Sequence, residues 1–348
     1  MLATNPAMHA LLLSAAVKLV AVHLLSQTAG ASSATPDMKR TRVEQPVTLV
    51  VAIEATVDGQ PAIFAGTKKV DFGDGAGARA AKPWPAGVPL DVAWLKIEPT
   101  AGSADNAKGG FHWDVIPYAE TPWARNDGDN ADPLARTADV HTTVLADRGG
   151  LGTMAFAVRI TAGGTVLATP GRESTWHGGL STKVARVSYR RDDTFLGYLT
   201  ELYNTPYIWA SAGVGADHQA EHLIGSDCAD FMCYGLRRTG RKIEYGYTGD
   251  VPAWGGKKSI ASIATRGADG RFLDARGNVI PVGDGGVKPG DLLLFKGHVG
   301  AFLRDRDPIG VLDAGDFLVH TAWAPPSEDS FDDAKPWTQP PFTVWRVK

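Results

Sequence analysis

Lys288-Pro289-Gly290-Asp291-Leu292-Leu293-Leu294-Phe295-Lys296-Gly297-His298-Val299-Gly300-Ala301-Phe302-Leu303 is the stretch on which the reading of this chain turns. Pro-Gly-Asp sets a turn, because proline fixes φ and glycine accepts backbone angles that other residues avoid. The turn leads into a buried strand at Leu292–Phe295, a short break follows, and a second strand begins at His298. A histidine at a strand start sits on rigid scaffold, where it can take a proton from a nucleophile and return it to a leaving group.

Upstream, Thr194–Tyr203 places Phe195, Leu196, Leu199, Leu202 and Tyr203 on one helical face, and Asn204-Thr205-Pro206 stops it. A second helix is expected over Cys228–Thr239, ended by Gly240. Strands follow at Arg271–Leu273 with Asn278–Val282, at Leu292–Phe295, Val299–Leu303 and Asp316–His320, and at the end of the chain from Phe342. Helices first and an antiparallel sheet afterwards is an α+β layout for residues 191–348. Residues 46–190 read differently. Strand-like runs at Val47–Val57, Leu90–Ile97, Phe111–Tyr118, Val140–Ala146, Thr153–Thr161 and Val184–Arg190 alternate with Gly- and Asp-rich turns. That spacing points to an all-β sandwich of immunoglobulin-like kind. Residues 32–45 read as a polar linker.

The first 31 residues read as an export signal: Ala10–Leu25 is apolar, and Ala29 and Ala31 give the small-x-small pattern ahead of a cleavage site. The protein is therefore expected in the periplasm or outside the cell. A net charge of −3 over 348 residues argues against nucleic acid as partner, and no later stretch reaches the ~18 apolar residues of a membrane span. The two cysteines, Cys228 and Cys233, are five residues apart in one helix and poorly placed for a disulfide. His218 and His222 have i, i+4 spacing but lack the Glu placement of HExxH, so no metal is expected, nor any cofactor.

Cys228 opens its helix after Gly225-Ser226-Asp227. Unpaired N–H groups and the positive helix end favour a thiolate there, as a cysteine nucleophile requires. Asp316-Phe317-Leu318-Val319-His320 puts His320 on one face of a strand that can pair with the strand of His298. His320 could then orient the base, and Asp313 or Asp316 could do the same.

Pro206-Tyr207-Ile208-Trp209, Ser226-Asp227-Cys228, Pro289-Gly290-Asp291-Leu292, His298-Val299-Gly300 and Val319-His320 occur in the order and rough spacing of the NlpC family. Over about residues 195–348 the chain thus resembles these papain-like cysteine peptidases of the bacterial cell wall. The resemblance implies Cys228 as nucleophile, His298 as base and His320 as third member. It also implies Tyr207 in the pocket, Trp209 beside it, and Asp227 binding the amino end of a peptidoglycan stem peptide. Asp227 could equally be a helix cap, and Trp209 a core residue. Ala229-Asp230 stands where the family has Ser-Gly, and 22 positions rather than about a dozen separate His298 from His320, which makes 305–313 an inserted turn. Two rivals stay open: an amidase or acyltransferase on another amide, and a secreted binding protein without activity.

Overall fold

A computed structural model describes residues 17–124, 132–255 and 258–347 of the chain. It is mostly β-sheet with few helices. Along the first half run β1 (Val17–Thr28), β2 (Lys39–Arg42), β3 (Val47–Val57), β4 (Gln60–Ala65), β5 (Asp91–Pro99) and β6 (Ser103–Asp105). They are followed by β7 (Tyr118–Pro122), β8 (Ala135–Thr137), β9 (Gly152–Ala162), β10 (Thr165–Ala168) and β11 (Ala185–Arg190). The second half adds α1 (Phe195–Leu199), β12 (Tyr207–Trp209), α2 (Cys228–Arg238), α3 (Val251–Gly255), β13 (Ala261–Ile263) and β14 (Leu292–Phe295). It ends with β15 (His298–Arg304), β16 (Phe317–His320), β17 (Ser327–Ser330) and β18 (Phe342–Trp345).

In the first half, β3 pairs with β1 on one edge and with β4 and β8 on the other. A second sheet has the order β2-β11-β9-β5-β7, with β10 also on β9. The sheets share one core, in which Leu49, Val51 and Ile53 of β3 meet Trp94 of β5 and Phe156, Val158 and Ile160 of β9. The alternation read at Val47–Val57 and Thr153–Thr161 is thus realised as strands. Two runs are not strands. Residues 111–117 are irregular before β7, and 140–146 form bends in which buried Glu98 accepts from the N–H groups of Thr143 (2.8 Å) and Val144 (3.1 Å). Side-chain and turn partners satisfy that backbone in place of a ladder.

The N-terminus departs from expectation. From Val17 the apolar stretch is β1, antiparallel to β3 from Val17↔Val57 to Thr28↔Val47, with Leu19, Val22 and Leu24 in the shared core. Cleavage near Ala31 would strip this strand away. An apolar run of this length satisfies a buried strand as well as a leader. Residues 1–16 lie outside the described residues. The expected linker also carries structure, since β2 runs parallel to β11 from Lys39↔Val187 to Arg42↔Arg190.

The second half is built on a six-stranded antiparallel sheet of order β13-β18-β14-β15-β16-β17. Leu199 of α1 and Phe231, Met232 and Leu236 of α2 pack on one face against Leu292, Val299, Ala301 and Val319. Leu293, Phe295, Phe302 and Leu318 alternate to the other face and meet Phe272, Phe331 and Phe342. Each such fully buried side chain contributes roughly 1.5–3 kcal/mol. Glu201, fully buried, joins the halves: it accepts from Arg238 of α2 (2.8 and 3.1 Å), Arg190 of β11 (3.1 Å) and Tyr234. A carboxylate so enclosed is tolerable only with such charged partners.

Candidate active site

Cys228 is the first residue of α2. Asp227 caps the helix, its Oδ1 accepting from the N–H groups of Ala229 and Asp230 (both 2.9 Å), while Arg237 and Arg238 occupy the last turn. Both ends therefore complement the helix dipole. β12 runs beside the approach to Cys228: Tyr207 bridges to Ser226, and Ile208 N–H donates to Ser226 O (3.0 Å). Gly225 permits this, because a Cβ there would fall 2.4 Å from the Pro206 carbonyl oxygen. Tyr207 is thereby buried next to the thiol, and its phenol is raised by burial and then by Cys228 and Asp227.

His298 opens β15, and β16 lies alongside with Ala301↔Val319 and Phe302↔Leu318 in register. Gly300 allows the strands to close up, since a Cβ there would lie 3.0 Å from Val319 O and 3.1 Å from His320 Cβ. The histidine rings meet, His298 Nε2 to His320 Nδ1 at 3.0 Å, and His320 Nε2 reaches Asp329 Oδ2 of β17 at 3.2 Å. Ser327 Oγ donates to the same carboxylate oxygen. The hydrogen bond from His320 holds the Asp329 carboxyl below its usual range. A carboxylate accepts only, so with both rings neutral His320 donates from Nε2, its Nδ1 accepts, and His298 donates from Nε2. The chain of bonds leaves the His298 Nδ1 lone pair for a reacting group.

Asp329 escaped sequence reasoning. It lies on β17, a strand that the sequence does not announce. Among the described residues no hydrogen bond joins Asp313 or Asp316 to either histidine. Asp316 accepts from the N–H groups of Arg306 (2.8 Å) and Asp313 (3.0 Å) and so closes the turn inserted between β15 and β16. That turn packs on the segment around Phe272–Val282, with Leu312 accepting from Phe272 N–H (3.0 Å) and donating to Ile280 O (2.8 Å).

Cys228 and the histidines are brought close but not into contact. Cys228 packs with Val299, the residue after His298, in the core between α2 and the sheet. Strand alternation sends the His298 ring the other way, between Phe295 (5.9 Å) and Trp337 (5.9 Å). Among the described residues no hydrogen bond joins Cys228 to His298. Cys228 is 5% exposed and His298 2%. Burial first, and then the Asp227 charge, pushes the thiol up to about 12. Burial and neighbouring His320 drop the His298 imidazole to about 3. The resting thiolate expected from the helix terminus is thus replaced by a protonated thiol and a neutral imidazole, because desolvation disfavours both charges.

Asp227 is a helix cap whose carboxyl is raised well above its usual range by burial and by Asp230. Asp230, in the position where the resembled family has Gly, accepts from Ser211 Oγ (2.6 Å), and its Oδ2 lies 3.2 Å from His218 Nε2. Ala220 N–H donates to His218 Nδ1 (3.2 Å), which fixes that ring as the Nε2–H tautomer. Trp209 is not core. It is 42% exposed and nearly parallel to Trp323, which is 45% exposed and also flanks Tyr207 at 5.2 Å. Trp323 went unread because nothing in Ala322-Trp323-Ala324 marks a surface residue. No family model, curated protein or solved structure matches the chain.

Proposed function

We propose that the chain is a cysteine amide hydrolase with a papain-like domain of NlpC type and an immunoglobulin-like accessory sandwich. Its substrate is the amide of a cell-wall stem peptide, reached by export with β1 retained. The observation that carries this reading is the His298–His320–Asp329 chain of bonds, which begins one residue from Val299, packed in one core with Cys228. Fixed tautomers and a free Nδ1 are what a base needs in order to serve a thiol.

In this reading substrate binding turns the His298 ring and the thiol toward each other. The thiol proton passes to His298 Nδ1 and sulfur attacks the amide carbon. The Cys228 N–H holds the oxyanion, since those of Ala229 and Asp230 are taken by Asp227. The imidazolium protonates the departing amine, and water then cleaves the thioester and restores the thiol. An acyltransferase differs only in replacing that water with another acceptor.

The separation of Cys228 from His298, with neither group charged at rest, favours a second reading as a binding protein without turnover. Incubation with purified cell-wall fragments separates the two. New amino groups released by the wild type but not by Cys228→Ala support hydrolysis, and none from either supports binding alone.

A further inference from the structure

Trp209 and Trp323 come from opposite halves of the site and meet at its rim. Their rings lie 17° from parallel with centroids 5.8 Å apart. Rings in face-to-face contact would be about 3.5–4 Å apart, so neither ring covers the other in close contact, and each, nearly half exposed, keeps indole surface for a ligand. Both positions are held by unusual backbone, with φ of 53° at Trp323 and 55° at Ala210, next to Trp209. Non-glycine residues adopt such angles at a cost that the surroundings must offset, and they concentrate at ligand sites. The Trp323 loop is fixed by the hydrogen bond from Thr321 Oγ1 to Ala324 O (2.7 Å) and by Pro325 against Gly102 of the first half (3.1 Å to a Cβ built there). Two exposed indoles braced in this way are not solvent-facing accidents.

Asp105 lies directly across from Trp209 in the parallel β6–β12 pair. Its Oδ1 accepts from Ala107 N–H (2.9 Å), and Oδ2 remains for a ligand. Two near-parallel exposed indoles, with a carboxylate residue paired to one of them on the neighbouring strand, suit one class of molecule, a pyranose. The polarised C–H bonds of one sugar face lie on the electron-rich indole faces, and ring hydroxyls donate to the carboxylate. A cage for an ammonium group would instead turn ring faces toward a common centre, which near-parallel rings do not do.

We propose that Trp209, Trp323 and Asp105 form a sugar-binding subsite at the rim of the Cys228 site, which seats the glycan part of the substrate. The subsite deepens the cell-wall reading but does not depend on turnover. Its test is a tryptophan-fluorescence titration of the full chain with the β-1,4-linked tetramer of N-acetylglucosamine, and separately with a lysine-containing peptide amide. Wild type and Cys228→Ala are expected to show the same saturable change with the sugar. Trp323→Ala weakens binding by about tenfold or more, Asp105→Asn by less, and Trp323→Phe, which keeps a ring, largely restores it. Absence of a saturable sugar signal, equal affinity in Trp323→Ala, or a response to the peptide alone would overturn the subsite. Sugar binding without amine release keeps the subsite and removes the hydrolase, and amine release without sugar binding does the reverse.

Discussion

His298 and Cys228 approach the same stretch of β15, yet their surroundings differ in kind. His298 ends a chain of bonds through His320 to Asp329. Cys228 has a helix N-terminus behind it but two carboxyls beside it, Asp227 and Asp230, and almost no solvent. A helix terminus contributes about 0.3–2 kcal/mol toward an anion. The rise of the thiol from 9 to about 12 corresponds to roughly 4 kcal/mol in the other direction. Position at a helix start is therefore a weak guide to thiolate character once the sulfur is buried. In the proposed mechanism the base is arranged beforehand, and the nucleophile waits for a substrate to alter its surroundings.

Substitutions can break this contrast or sharpen it. The largest effect is expected from Cys228→Ala and His298→Ala, each of which lowers amine release from cell-wall fragments by about 10³-fold or more. Equal activity in either variant would end the pairing of the two halves. Asp329→Asn keeps the size of the side chain but can donate to His320, which scrambles the tautomers. Its expected cost is about 10- to 100-fold in kcat with KM little changed, measured as a pH–rate profile that Asp329→Glu partly restores.

Stability should follow acid in a defined direction. His298 titrates at about 3 in the folded chain against 6.5 for the free side chain. The unfolded chain binds more protons between those values, so stability is full above about pH 6.5 and is lost as the pH falls toward 3. His298→Gln should flatten that part of a melting-temperature profile. The smallest effect is on labelling. At pH 7–8 a thiol-directed probe should modify Cys228 of the ligand-free chain more slowly than free cysteine, with no change in His298→Ala. Fast labelling that depends on His298 would show that the ion pair already exists at rest.

Much of this arrangement is legible in the sequence. The turn at Pro289-Gly290, the strands on either side of Lys296-Gly297 and the helix from Cys228 announce themselves by local chemistry, and the structure holds strands and a helix there. Ring contact between His298 and His320 follows from strand pairing and the absence of a Cβ at Gly300. What stayed hidden depends on distant partners. The pairing of β1 with β3 joins segments that share no local signal, and β17, Ser327-Glu328-Asp329-Ser330, has no apolar alternation at all. Asp329 and Trp323 owe their places to that edge strand and to the loop before it. Desolvation of Cys228 is likewise a property of the assembled core, which no spacing of motifs reveals.

The claim that Cys228 is the nucleophile is tested most directly by trapping its acyl-enzyme. The full chain would be incubated with a stem-peptide ester, quenched in acid and digested, and its cysteine peptides weighed. The expected result is an acyl mass on the peptide containing Cys228, absent from Cys228→Ala and strongly reduced in His298→Ala. No adduct, or one that persists when Cys228 is replaced, would contradict it.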